Sequence, residues 1–123
     1  MRCCGIRGAI TVESNTKSSI ASATRELLSA ILSVNHISVD DIAGVWFTTT
    51  SDLNADFPAV AARELGLGKI ALLCGHEMSV PDSLKSCLRV MLLVNTEKKC
   101  NEIVHVYLKG AKVLRPDLDN YKG

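Results

Sequence analysis

The sequence predicts an α+β or α/β sandwich of about five strands and two helices, one long and one short, with the helices covering one sheet face. Three observations carry that prediction. Ile20, Ala23, Leu27, Ile31 and Val34 recur at spacings of three and four, the mark of a long amphipathic helix. Several shorter segments are β-branched, wholly apolar or alternating, as strands require. No repeat, low-complexity tract or linker separates them, and 123 residues that are 47% hydrophobic suit one domain spanning 1–123. A chain of this size can bury roughly two-thirds of its unfolded surface.

Residues 2–12 read as the first strand, with Cys4, Ile6, Gly8 and Ile10 on one side and Arg7 on the other. Asn15 or Thr16 caps the long helix, which runs to about Val34. After a polar turn at 38–41, the β-branched and aromatic run 44–50 is a second strand whose threonine-rich end approaches a loop. Pro58 sits in the first turn of a short helix rich in alanine, and Gly66 ends it. Residues 69–74 are a third, almost wholly apolar strand, so Glu77 falls just beyond a strand end. The stretch 84–94 fits either a helix or a buried strand, and a strand over 88–95 is the preferred reading. Residues 104–109 alternate cleanly, with Tyr107 opposite Val104, Val106 and Leu108, and a last extended piece at 111–115 stops at Pro116. The polar tail from about 116 has the composition of a mobile end. One sheet face is left without a helix, and self-association is the simple way to cover it.

Composition narrows the function. Fourteen basic and thirteen acidic residues give a formal charge of +1, and with five aromatic side chains and no basic run longer than Lys98-Lys99, nucleic acid is not an expected partner. No stretch approaches 18 uninterrupted apolar residues, and MRCCGIRGAIT lacks the pattern of a secretory leader, so a soluble cytoplasmic protein without a membrane partner is expected. Five cysteines, at 3, 4, 74, 87 and 100, fit free thiols in a reducing compartment better than a disulfide framework. His36, His76 and His105 are isolated, with no metal-ligand spacing, and read as polar surface or edge residues; no metal and no cofactor is expected.

The chemistry is carried by arginines. Arg7 in GIRGA, Arg89 in SCLRVMLLV and Arg115 in KVLRPDL each bring a permanent charge into apolar surroundings, and a desolvated guanidinium needs an anion or several acceptors. With Glu77 in CGHEM and Tyr107 in HVYLK they make a site of fixed charges and few nucleophiles, suited to a small anionic ligand. Blander roles exist for each. Arg7 can bridge strand ends, Arg89 can pair with Glu77, Arg63 can pair with Glu64, Glu26 or Asp56 on a solvated face, and Tyr107 can be an ordinary strand aromatic. Cys74 has no His–Asp pair nearby in sequence to activate it as a nucleophile.

GIRGAITVE, DLNADFPAVAARELG, CGHEM, CLRVM, HVYL and VLRPDL resemble, in this order and spacing, the signature segments of the small monofunctional chorismate mutases. The resemblance spans almost the whole chain. It implies an α+β fold with a mixed five-stranded sheet and a homotrimer forming a pseudo-α/β barrel. It also implies an intramolecular Claisen rearrangement of chorismate to prephenate, on the route to phenylalanine and tyrosine, with no cofactor.

By the same resemblance Arg89, Glu77 and Arg7 are the catalytic residues. Arg89 would donate to the ether oxygen, Arg7 and Tyr107 would hold a carboxylate, and Glu77 with the Leu73-Cys74 backbone would engage the ring hydroxyl. Gly75 and His76 complete that binding segment. The resemblance places each site between subunits, with Phe57, Arg63, Leu73 and Cys74 from one chain and Arg7, Glu77, Arg89 and Tyr107 from the next. Leu114 and Arg115 would approach from the C-terminal segment, with the tail as a flexible cover. The chain departs from the family pattern at Val60, where a lysine is common, and at Leu73, where a threonine precedes the cysteine. Two other functions fit the residues less closely: a non-enzymatic trimeric module binding a small carboxylated metabolite, and an imine- or enamine-hydrolysing trimer.

Overall fold

In the computed structural model, which describes residues 1–118 and 121, the strands form one mixed sheet in the order β3-β2-β4-β1-β5. The elements in chain order are β1 (Arg2–Thr11), α1 (Lys17–Val34), β2 (Ile42–Thr49), α2 (Pro58–Ala62), β3 (Ala71–His76), β4 (Cys87–Thr96) and β5 (Val106–Leu108). β4 runs antiparallel to both β1 and β2, while β5 joins β1 and β3 joins β2 in parallel. The α+β class with one long and one short helix is thus the observed one.

Local chemistry explains the long helix. The Thr16 side chain accepts the Ser19 N–H at 3.1 Å, satisfying one of the unpaired donors of the first turn. Ile20, Ala23, Leu27, Leu28 and Ile31 then point at Ile6, Ile10, Phe47, Leu88 and Leu92 of the sheet, all almost wholly buried. Each large side chain in that layer contributes about 1.5–3 kcal/mol by leaving water. The approach is closest at Gly8, where a Cβ would lie 2.8 Å from Ile31 Cδ1 and 3.0 Å from the Val106 carbonyl.

At the helix C-terminus the buried Asn35 amide donates to the carbonyls of Ile31 (3.0 Å) and Val104 (2.9 Å) and accepts the Val104 N–H at 2.8 Å. Lys98 Nζ donates to the Asn35 carbonyl at 2.6 Å. One asparagine therefore ties α1 to the connection between β4 and β5.

That contact accounts for a difference from the sequence reading. β5 is only three residues long instead of spanning 104–109, because Asn35 takes both backbone groups of Val104 and the His105 ring takes the Arg7 N–H. The expected extended piece at 111–115 is a second correction. Lys109–Val113 is a 3-10 turn, entered through Lys109 at φ 53° and fixed by the Gly110 N–H donating to Thr11 Oγ1 at 3.0 Å. Ala111 is thereby buried against Ala9, Cys87 and Tyr107.

Smaller shifts occur elsewhere. β2 starts two residues before the expected position, and β3 lies two residues later because Ile70 still closes a turn onto the Leu67 carbonyl. The ambiguous 84–94 stretch resolves as β4, flanked by a strand on either side. α2 passes into a wider turn, Arg63–Leu67, which Gly66 ends at φ 97°. Pro116–Leu118 is a further 3-10 turn, and positions 119, 120, 122 and 123 of the tail expected to be mobile lie outside the described residues.

The two faces of the sheet differ. Val45, Phe47, Leu88, Val90 and Leu92 face the helices, while Trp46, Thr48, Arg89, Met91, Leu93 and Leu73 alternate onto the open face. There Trp46 is 43% and Leu73 59% exposed, high values for large apolar side chains.

Candidate active site

Strand register assembles the site. Tyr107, Ala9, Arg89, Thr48 and Gly75 are successive register partners across all five strands, and Arg7, Met91, Trp46 and Leu73 form the next row on the same face. Over these rows lies a cavity of about 330 Å³ lined by Arg7, Gly8, Trp46, Thr48, Glu77, Arg89, Val90, Met91, Tyr107, Leu114 and Arg115. Six residues expected from the sequence, Arg7, Glu77, Arg89, Tyr107, Leu114 and Arg115, meet here.

Glu77 leaves β3 and anchors its N–H on the Thr49 carbonyl at 2.8 Å. Its carboxylate accepts a hydrogen bond from Thr48 Oγ1 through Oε2, the oxygen that also lies 3.9 Å from Arg89 Nε. At that separation Arg89 and Glu77 attract without a hydrogen bond. Arg89 Nε is screened from solvent and has no hydrogen-bond partner among the described residues, a buried donor in a residue that lines the cavity.

The other two arginines differ in how far they are satisfied. Arg115 forms a two-point contact with Asp117, Nε to Oδ1 at 3.0 Å and Nη2 to Oδ2 at 2.7 Å, which holds the Asp117 carboxyl below its ordinary range and raises Arg115. Arg7 has no carboxylate within ion-pairing distance among the described residues. His105 beside it is held below its usual value, first by burial and then by the charges of Arg7 and Arg115. Its Nδ1 accepts the Arg7 N–H at 3.0 Å, so the neutral ring carries its hydrogen on Nε2.

Beneath the cavity, Tyr107 is only 4% exposed and packs with Ala9, Cys87 and Ala111 under Leu84, Leu114 and Leu118. Burial raises the Cys87 thiol above its ordinary value against the opposing pull of Arg89, so it stays protonated at neutral pH. The site offers donors and fixed charge, with a protonated thiol and no activated nucleophile. Among the described residues, no three His, Cys, Asp or Glu side chains come together to hold a metal ion.

The remaining expected residues lie elsewhere on this chain. Phe57, Cys74, Gly75 and His76 line a separate depression of about 450 Å³ together with Lys17, Asn54 and Asp56. Phe57 is 67% exposed there, and His76 Nδ1 lies 3.1 Å from Thr49 Oγ1. Leu73 borders a shallow apolar groove with Trp46 and Leu93. Arg63 is exposed at the start of the wide turn, and it is Arg25, at 3.8 Å, that pairs with Glu64.

Sequence reasoning missed Trp46, Thr48 and Met91 as lining residues. Their alternation with Val45, Phe47 and Val90 was visible and puts them on the same face as Arg89. Only the β2–β4 register, however, brings Thr48 beside Arg89.

The family profile described as chorismate mutase type I matches residues 3–118. The chain belongs to this family. Chorismate mutase AroH of Thermus thermophilus is 49% identical over 117 residues, covering 94% of this chain and 96% of that one. Chorismate mutase AroH of Bacillus subtilis strain 168 is 45% identical over 115 residues, covering 93% and 91%. A solved chorismate mutase from Clostridium thermocellum superposes with a TM-score of 0.87 at 50% identity, covering 89% of this chain and 97% of that one. The six sequence segments and the mixed sheet therefore belong to one chorismate mutase chain. No helix among the described residues is long and apolar enough to cross a membrane.

Proposed function

We propose that the protein rearranges chorismate to prephenate, and that the buried, unpartnered Nε of Arg89 is the donor on which the rate depends. The observation that carries this reading is that donor's position in a cleft holding Arg7, Arg115, Glu77 and Tyr107, in a member of the chorismate mutase family. Chorismate is a dianion. In its rearrangement the ether C–O bond breaks as the new C–C bond forms, and negative charge grows on the ether oxygen. No proton is transferred and no covalent intermediate is needed, which suits a site of fixed donors.

Arg89 gives that oxygen a charge-assisted hydrogen bond that strengthens as the bond breaks, so the contact lowers the barrier rather than only tightening binding. Arg7 and Tyr107 hold a substrate carboxylate. Glu77, steadied by Thr48, takes the ring hydroxyl. Together they favour the compact conformer in which the reacting carbons meet. Arg115 closes the cleft from the C-terminal side, releasing Asp117 as the substrate arrives.

A homotrimer completes the site. Phe57, Cys74, Gly75 and His76 lie in a depression at the β3 edge, apart from the arginine cleft, and the sheet face between them exposes Trp46 and Leu73. A second copy seated on that face would cover the apolar side chains and bring its own Phe57, Arg63, Leu73 and Cys74 to the cleft. The five free cysteines fit a reducing compartment, so the cytoplasm is the proposed location. Neither a non-catalytic metabolite-binding module nor an imine hydrolase gains support from any feature of the cleft.

The test is the loss of chorismate absorbance with purified protein, with prephenate identified as product. Turnover well above the spontaneous rate is expected. A folded, assembled protein that gives none would overturn the reading.

A further inference from the structure

Away from the cleft, on the helix side of the sheet, two cysteines separated by 96 positions meet. Cys4 Sγ lies 2.9 Å from Cys100 Sγ, closer than ordinary contact between sulfurs. Cys4 is 1% exposed near the start of β1, whereas Cys100 begins the 3-10 turn Cys100–Glu102 and is exposed. Both sides of the contact are held in place. Cys4 belongs to the β1–β4 ladder, and the segment bearing Cys100 is pinned by Lys98 Nζ on the Asn35 carbonyl, by Asn35 on Val104, and by the Lys99 N–H on Glu102 Oε1.

We propose that Cys4 and Cys100 form a built-in dithiol site that closes to an intramolecular disulfide when a small-molecule disulfide such as oxidised glutathione is supplied. A disulfide bond requires the sulfurs to approach by only about a further 0.9 Å, a movement that side-chain torsions at the exposed Cys100 can supply. The exposed sulfur reacts first. The Cys100 thiolate attacks one sulfur of the oxidant and expels a glutathione thiolate. Cys4 then attacks the Cys100 sulfur of the mixed disulfide and expels the second glutathione. The two thiol protons end on the two expelled glutathiones, so one disulfide is reduced as one is formed.

The site selects its own partner. Hydrogen bonding to Cys100 is the first reason the Cys4 thiol is held above its ordinary value, so Cys4 is a poor target for outside oxidants and reacts only through its neighbour. Cys3, on the opposite face of β1, is exposed and has no comparable contact with Cys100 among the described residues. The closed bond would clamp the β4–β5 connection, already tied to α1 by Asn35, onto the first strand. It would stabilise the fold chiefly by restricting the unfolded chain, an effect that grows with loop length.

The experiment treats the reduced, assembled protein with oxidised glutathione and maps peptides by mass spectrometry without reduction, beside Cys3→Ser and Cys100→Ser. The expected product has lost two hydrogens and joins the Cys4 peptide to the Cys100 peptide in the wild type and in Cys3→Ser, but not in Cys100→Ser. At fixed protein concentration its melting temperature should rise by roughly 10 °C, reversibly with dithiothreitol. Glutathione retained on Cys100 with Cys4 still free, or a link from Cys100 to Cys3, would overturn the proposal.

Discussion

Replacing Arg89 is the sharpest perturbation of the cleft. Two contributions of this side chain both rest on its Nε. Toward Glu77 it supplies a 3.9 Å ion pair at partly exposed groups, a contact whose contribution to stability is about 0–1 kcal/mol. That same Nε makes no hydrogen bond among the described residues, so on the proposed reading its hydrogen-bonding capacity is available to charge that develops during reaction. Removing one such donor lowers kcat by roughly 10²–10³-fold. Arg89→Ala removes the whole fork and should lower kcat by several orders of magnitude, while the melting temperature moves by only a few degrees. Arg89→Lys keeps the charge but loses the planar arrangement, and should still cost about 10²-fold. Initial rates from chorismate absorbance, over a range of substrate concentrations, separate kcat from KM. A kcat within tenfold of wild type in Arg89→Ala, or a fall confined to KM, would refute the assignment of Arg89 to the transition state.

Three further outcomes are expected. Thr48→Val removes the hydroxyl that holds Glu77 Oε2 and should lower kcat/KM by about 5- to 150-fold, with activity restored in Thr48→Ser, as for a lost charge-assisted bond of ~1–3 kcal/mol. Gly8→Ala places a Cβ against Ile31 and the Val106 carbonyl and should destabilise the fold by about 1–3 kcal/mol, read by urea denaturation at fixed protein concentration. For pH, the folded His105 has a pKa below its unfolded 6.5, so its stabilising contribution is complete above about 6.5 and lost as pH falls through the lowered folded value. Asp52, held below the ordinary carboxylate range first by the Thr50 hydroxyl and also by Ser86, should lose its contribution at still lower pH. Denaturation midpoints from pH 7 to 5 should therefore slope downward in the wild type and flatten in His105→Asn. Equal slopes would remove His105 from the account.

Much of the fold was legible wherever a local rule decides the outcome. The Thr16 cap, the apolar stripe of α1 and the opposite facing of Ile6 and Arg7 depend on neighbours a few residues away. Reading failed where a distant group intervenes. Nothing near Val104 indicates that Asn35 will occupy both of its backbone groups, and nothing near Ala111 indicates that Thr11 will cap the turn that buries it. In the site, Arg7, Glu77, Arg89, Tyr107 and Arg115 stood out because charges and a phenol among apolar residues require a reason. Thr48 and Trp46 are unremarkable as strand residues, and only their register with Arg89 and Met91 brings them to the cleft. Phe57, Cys74 and Arg63 were singled out by family resemblance alone, and on a single chain they remain apart from the arginines.

Because Arg7, Arg89, Trp46, Thr48 and Tyr107 all project from paired strands, the sheet works as a frame of fixed pitch. Neighbouring strands lie about 4.8 Å apart, and same-face residues along a strand are about 6.8 Å apart, so the spacing of these groups can change only in whole steps. A slip of one residue would turn an entire row to the wrong face. Glu77, just past β3, and Arg115, beyond β5, are the charged groups of the cleft held outside that frame. Fine adjustment to a substrate of different size would thus have to come from those two segments, which makes them the places to vary when a new ligand is wanted and the strands the places to leave alone.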